Sequence, residues 1–166
     1  MKCLVFSDSH GTPHLMRRAL ALHRDAEVVF FLGDGLADAA TLASEDPTRA
    51  WIAVRGNCDT TDLFGSSFVR KVDEIILDGR KIVLTHGDLY GAKYGVGGLI
   101  NLARERDADI VLFGHTHIPH EQYVGDYGKP VWLFNPGSIS YNGASYGIIT
   151  LGGTPLLSHG SIAKFL

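Results

Sequence analysis

The chain has 166 residues, 45% of them apolar and 20% charged, with a formal net charge of -3; this is the profile of one folded domain spanning 1–166, not of a disordered chain. No basic run exceeds two residues (Arg17-Arg18, Arg70-Lys71, Arg80-Lys81), which excludes an electrostatic surface for long nucleic acid. Two cysteines form no disulfide framework, the opening MKCLVFSDSHGT has too short an apolar run for a secretory signal, and no stretch nears the roughly 20 apolar residues that span a bilayer. A cytoplasmic protein without membrane contact is expected.

In chain order, KCLVF is a predicted strand. HLMRRALALHR follows as a helix with Leu15, Ala19 and Leu22 on one face. EVVFFL is the next strand, a weaker helix covers Leu36 to Ser44 and ends before Pro47, and WIAV is a third strand. FVRKVDEIILDGRKIVLTH holds two runs joined by Asp78-Gly79-Arg80, a hairpin signal, the second run containing the strand KIVLT. VGGLINLARERD reads as a helix with Val96, Leu99, Ile100 and Ala103 on one side, and DIVLF as a strand. Beyond residue 120, EQYVGDYGKPVWLF, YGIITL and PLLSHG are short runs between turn residues, an antiparallel ending. Uninterrupted Val, Ile, Leu and Phe mark strands buried on both faces. Strand and helix alternate in the first part, which implies a largely parallel sheet. With the hairpins added, the expected fold is an α/β sandwich of two mixed sheets packed on each other, helices on the outer faces.

The informative residues stand directly after the apolar runs: Asp8 and His10, Asp34, Asn57, His86, and His115 with His117. The carboxyl ends of parallel strands share one edge, where clefts form, so these residues can converge. Asp8 with His10, and His115 with His117, are two apart, a spacing that returns to one side of an extended chain and lets each pair chelate. Asp34 has two carboxylate oxygens and can bridge cations about 4 Å apart, the separation of two-metal hydrolytic sites. Two divalent ions balanced by Asp8, Asp34 and a hydroxide keep a residual positive charge, which binds a phosphate-like anion. Nitrogen and oxygen donors without sulfur suit manganese first, with nickel, cobalt, iron or zinc also admitted. Singly, each residue has a plainer role as a helix cap, turn residue or hydrogen-bonded histidine. Five strands closing on such residues, with almost no Lys or Arg among them, favour a binuclear site.

The motifs DSH, GD, GNCD, THG and GHTH, with LFNPGSIS at 133–140, resemble the successive signatures of calcineurin-like metallophosphoesterases, in the small bacterial and archaeal phosphodiesterase branch. The resemblance spans nearly the whole chain and implies a four-layer αββα fold with one binuclear centre. It implies that Asp8, His10, Asp34 and His117 hold one metal, and Asp34, Asn57, His86 and His115 the other. Relatives of this kind are often dimers or tetramers, so a homo-oligomer is implied as well. In many of them the position of Cys58 is a histidine that protonates the leaving oxygen and adds positive charge. A thiol with a pKa of about 8.5 is neutral at pH 7 and does little of either. Dianionic monoesters lose most from that, which points to a small phosphodiester substrate, hydrolysed by a metal-bridging hydroxide.

Cys58 can equally be a small buried filler, and a thiol nucleophile lacks an activating histidine nearby in sequence. Asp38, Asp59 and Asp88 can hydrogen-bond ligating imidazoles or serve as caps. GAKYGVGG carries Lys93, Tyr90 and Tyr94 beside the cleft as a substrate wall or lid, and matches neither glycine fingerprint for nucleotides. His14, His23, His120 and His159 read as surface histidines. The alternative to an enzyme is an interaction scaffold, since eukaryotic retromer contains a similar fold serving chiefly for protein contact.

Overall fold

Strands β1 (Lys2–Phe6) and β2 (Val28–Phe31) are apolar on both faces because each face belongs to a different core. The computed structural model describes residues 1–126, 128–141 and 143–162. Leu4, Phe6, Val29 and Phe31 cluster with helices α1 (Pro13–Leu22) and α2 (Leu36–Glu45). Cys3, Val5, Val28 and Phe30 point the other way and meet Ile82 and Leu84 of β7 (Arg80–Thr85), Ile110 and Leu112 of β8 (Ile110–Leu112) and Phe134 of β10 (Val131–Asn135). On the far side of that second sheet, Val83, Val111 and Leu133 pack with Leu99, Leu102 and Ala103 of α3 (Gly97–Arg106). The period-two alternation of strand side chains thus divides each strand between two cores and produces the four αββα layers.

The first sheet has the order β12-β11-β1-β2-β3, with β3 at Ala50–Ala53, β11 at Ser145–Thr150 and β12 at Leu156–Ser161. Its β1, β2 and β3 are parallel, while β11 and β12 run antiparallel to their neighbours. The second has the order β6-β7-β8-β10-β9, with β6 at Val72–Leu77 and β9 at His120–Val124; β7, β8 and β10 are parallel inside antiparallel edges. A small hairpin, β4 (Leu63–Phe64) with β5 (Ser67–Phe68), sends Phe64 against Trp51.

Several sequence expectations need correcting. Leu22 is 67% exposed, and the buried stripe of α1 is Leu15, Met16, Ala19 and Leu20. In α3, Leu102 takes the buried place expected of Ile100. The strand read from WIAV is the edge strand β3, in which Trp51, Ile52 and Ala53 are only half-buried, while Val54 just beyond it is buried. The ending is not wholly antiparallel: β10 inserts between β8 and β9 and pairs parallel with β8, which periodicity within one strand cannot reveal. The turn at Asp78-Gly79 is as expected, both residues having positive φ, 46° and 74°, as a two-residue hairpin turn requires.

Candidate metal centre

Parallel strands bring their carboxyl ends to one edge of each sheet, and the two edges meet. Asp8 follows β1, Asp34 follows β2, Asn57 follows β3, His86 follows β7, and His115 with His117 follow β8. The chain does not stay extended beyond the strands: Asp8, His10, Asp34, His115 and His117 have φ of 56°, 45°, 60°, 70° and 62°. Such left-handed conformations cost non-glycine residues about 1–3 kcal/mol each and collect at functional sites. The extended-chain argument for paired chelation therefore fails for His115 and His117, which are directed to different groups.

One group comprises Asp8, His10 and His117, the other Asp34, His86 and His115; within each, one ligand atom per residue lies within 4.8 Å of the others. Asp8 Oδ1 is 3.1 Å from His117 Nε2 and 3.6 Å from His10 Nε2, whose own distance to His117 Nε2 is 3.3 Å. His86 Nε2 is 3.2 Å from both Asp34 Oδ2 and His115 Nδ1. The groups adjoin, since Asp8 Oδ1 is also 3.9 Å from His86 Nε2. Asp8, Asp34 and His86 are buried, while His10 and His117 face solvent. The donor set fits divalent cations. His86 Nδ1 donates to the Leu32 carbonyl at 2.7 Å, which leaves the Nε2 lone pair of the neutral ring facing the cleft. Asp8 Oδ2 accepts from Ser7 Oγ at 2.6 Å and the His115 amide at 3.1 Å, which aims Oδ1 at the imidazoles.

Without cations the groups tune one another. Burial raises the Asp34 carboxyl, but hydrogen bonding and charge from His86, with help from Cys58, outweigh it and hold the pKa at about 2. Burial lowers His86, yet Asp34 and Asp8 bring it above its ordinary value. His115 is lowered by burial and by repulsion from His86 and Lys93. The Cys58 thiol is pushed up by desolvation, by its hydrogen bond to Asp34 and by the charges of Asp34, Asp59 and Asp8, so it stays neutral.

Cys58 is exposed, which overturns the buried-filler reading. Its amide donates to Asp34 Oδ1 at 2.8 Å, and the exposed Asn57 places Nδ2 3.6 Å from its sulfur. Of the two roles open to Asp59 and Asp38, bonding imidazoles or capping, both take the second and accept donors that the turns leave unpaired. Asp59 accepts from the amides of Gly56, Asp34, Gly35 and Leu36 at 2.8 to 2.9 Å, fixing the Asp34 turn and the start of α2. Asp38 accepts from Ser9 Oγ at 2.6 Å and the Gly11 amide at 2.9 Å. Asp88 opens a short 3-10 turn, Asp88–Tyr90, and reaches His115 through its charge. The remaining histidines have partners: His14 with Tyr141, the half-buried His23 with Tyr146, the half-buried His120 with Gln122, and His159 stacked on Phe134. Sequence reasoning missed the role of Asn135, whose Nδ2 donates to the Gly114 carbonyl and Thr116 Oγ1 and so holds the turn between β8 and His117. The LFNPGSIS motif was the available signal. Gly56 packs so closely on Asp34 that a Cβ would displace its carboxylate.

A cleft of carboxylates and imidazoles at the joined edges of an αββα sandwich defines a metallophosphoesterase-type centre. Residues 1–152 match the calcineurin-like phosphoesterase superfamily domain, and the chain belongs to that family. It is 34% identical over 157 residues to YsnB of Bacillus subtilis (strain 168), described as a probable metallophosphoesterase, covering 91% of this chain and 85% of that protein. It is 31% identical over 172 residues to the phosphodiesterase YfcE of Escherichia coli (strain K12), covering 90% and 87%. The solved structure of the Escherichia coli YfcE phosphoesterase matches with a TM-score of 0.66 at 26% identity, covering 90% of this chain and 88% of that one. The fold is shared with Vacuolar Protein Sorting 29 from Cryptosporidium parvum, TM-score 0.75 at 19% identity, covering 97% and 98%.

Replacing Asp59 with Ala strands four amides, and urea unfolding is expected to register a loss on the order of 3 kcal/mol; a loss within error of zero would show the amides find other partners. In metal-free protein, His86 has a raised pKa, so its contribution to stability is present below its ordinary 6.5 and is lost as pH rises through the folded value. The melting-temperature gap between wild type and His86→Gln should therefore be widest below the ordinary 6.5 and shrink as pH rises above it. A gap independent of pH contradicts the assignment.

Proposed function

We propose that the protein is a metal-dependent phosphodiesterase, weak on phosphomonoesters, whose centre takes two divalent cations, manganese first and nickel, cobalt, iron or zinc as alternatives. The carrying observation is the juxtaposition of two donor groups, with Asp8 Oδ1 3.1 Å from His117 Nε2 and 3.9 Å from His86 Nε2. In this reading Asp8, His10, Asp34 and His117 hold one ion, and Asp34, Asn57 through its amide oxygen, His86 and His115 hold the other. The cations, when bound, supply positive charge for phosphoryl oxygens and acidify water enough to act as a nucleophile at neutral pH. The chain keeps Asp34 ionised, presents the bare Nε2 of His86, and seals the carboxylates away from competing water by burial.

Cys58 accounts for the preference between esters. Asp34, Asp59 and Asp8 keep its thiol neutral, so no side-chain cation stands where a monoester dianion needs extra charge, and a diester monoanion is the better fit. Those carboxylates also argue against a thiolate nucleophile. The phosphodiesterase description of YfcE supports the same substrate class. The reading treats 1–166 as one domain acting in the cytoplasm; among the described residues no helix is long and apolar enough to cross a membrane. A scaffold role like that of retromer has the fold likeness alone behind it, whereas a retired site has no reason to keep two complete donor groups.

Purified protein with added manganese should hydrolyse bis(p-nitrophenyl) phosphate, and Asp34→Asn should lower the rate by more than about 100-fold, since groups merely supporting ligands already cost ~10–100-fold. Metal uptake without hydrolysis would move the protein to the scaffold class. Cys58→His should raise the ratio of monoester to diester turnover by roughly 100-fold, the low end of what a positioned acid supplies; an unchanged ratio removes Cys58 from the explanation.

A further inference from the structure

Beside the centre lies a second feature that the phosphate chemistry does not use. The segment from Ala92 to Val96 and the stretch from Phe113 to His120 enclose a cleft of about 570 Å³, within the range that holds a small organic ligand. Its floor is the buried Phe113 with Val96, and its rims carry Tyr94 and Ile118, 97% and 65% exposed. Exposed apolar side chains gathered at one cleft are the form a ligand-binding groove takes. Two stretches of chain link the cleft to the donor residues. Thr116, which lines it, lies between His115 and His117 in the chain, and Ala92 bonds through its amide to the carbonyl of Gly87, next to His86. The Lys93 ammonium lines the same cleft and acts on His115 through space, so this flank carries a positive charge within electrostatic reach of the donor groups. Tyr94 is held on a turn whose amide donates to the Gly91 carbonyl at 2.8 Å, which presents the ring to the opening.

We infer that this cleft seats a planar aromatic group attached to the phosphate, packed between Tyr94 and Ile118 over Phe113, and so selects aryl or nucleoside esters over simple alkyl ones; the inference rests on the centre being a phosphodiesterase. An aromatic ring gains from apolar burial and from offset or edge packing on a tyrosine, neither of which a methyl group can match. The polar cleft on the other side of the centre, lined by His10, Asp38, Cys58, Thr60 and Thr61, offers no comparable apolar wall.

The test is calorimetric titration of manganese-loaded protein with phenylphosphonate against methylphosphonate, and with adenosine monophosphate against ribose 5-phosphate. At least one aromatic ligand should bind roughly ten-fold tighter than its partner. The first pair reports a ring directly on phosphorus, the second a base one sugar away, so the pair that discriminates identifies the source. Tyr94→Ala with Ile118→Ala, both at exposed positions where truncation leaves the cores intact, should abolish that advantage while methylphosphonate affinity changes less than about two-fold. Equal affinities within both pairs, or an advantage that survives the double variant, overturn the subsite. Hydrolysis of bis(p-nitrophenyl) phosphate by the same preparation then shows that the phosphodiesterase reading stands without it. If none of the four ligands binds, the subsite falls, and hydrolysis of bis(p-nitrophenyl) phosphate alone decides the phosphodiesterase reading.

Discussion

Five donor-bearing side chains sit on backbone bent into positive φ directly after their strands, and the rest of the site exists to keep them there. At about 1–3 kcal/mol each, that strain would relax if the turns were held by their own sequence alone. They are held from outside instead. Asp59 gathers four amides around the turn of Asp34, Asp8 Oδ2 takes the His115 amide, and Asn135 ties down the carbonyl and hydroxyl that flank His115. Each clamp reaches across sequence distance, so the turns are rigid only when the whole sandwich is assembled. Burial of the clamped amides in low dielectric strengthens these bonds and makes their loss costly.

The same arrangement sets the electrostatics. Asp8 and Asp34 are buried carboxylates, a state that is expensive unless each oxygen is matched. One oxygen of each is matched by protein donors, Ser7 and the His115 amide for Asp8, the Cys58 amide for Asp34. The other oxygen of each faces imidazole. That division of labour leaves one outward-facing carboxylate oxygen per residue, which is the form in which a carboxylate is most useful to a cation. His86 is the counterpart: fully buried, pinned by the Leu32 carbonyl through one nitrogen and turned toward Asp34 and His115 at the other.

What the sequence made legible and what it hid divide along this line. Buried strands, their order of helices, the Asp78-Gly79 turn and the donors at the strand ends all have local signatures, and the layers followed from them. Leu22 and Ile100 misled because helical periodicity marks a broad stripe without choosing which side of it the sheet covers. The parallel insertion of β10 misled because pairing partners are set by the closure of the second sheet, not by any run of residues. The clamps were hidden for a stronger reason. A side chain bonded to backbone amides leaves no periodic trace, so the sequence could not choose for Asp59 between partner of an imidazole and cap, and it is the anchor of a turn. His115 and His117 looked like one chelate because spacing assumes an extended chain, and positive φ at both residues sends them apart.

The centre has two unlike flanks, and this bears on how a rigid site distinguishes esters. On the side of α2 stand Asp38, Asp59 and the neutral thiol of Cys58; on the side of α3 stand Lys93, Tyr94 and Ile118. A phosphate with two different substituents cannot occupy such a cleft equally well in both orientations, because turning it over exchanges an acidic polar wall for an apolar one with a cation. In the proposed reading, orientation would then follow from the substituents, since bound cations would supply charge to either phosphoryl oxygen. With the donors fixed by clamped turns, the centre itself has little room to adapt to the ester. That places discrimination in the walls under the proposed reading, and the wall built on Gly91–Val96 is joined to the His86 turn through the short stretch from Gly87 to Tyr90. It is the part of the site where sequence can change without disturbing the strain-bearing residues, and so the part in which relatives sharing the same donors can differ in what they cleave.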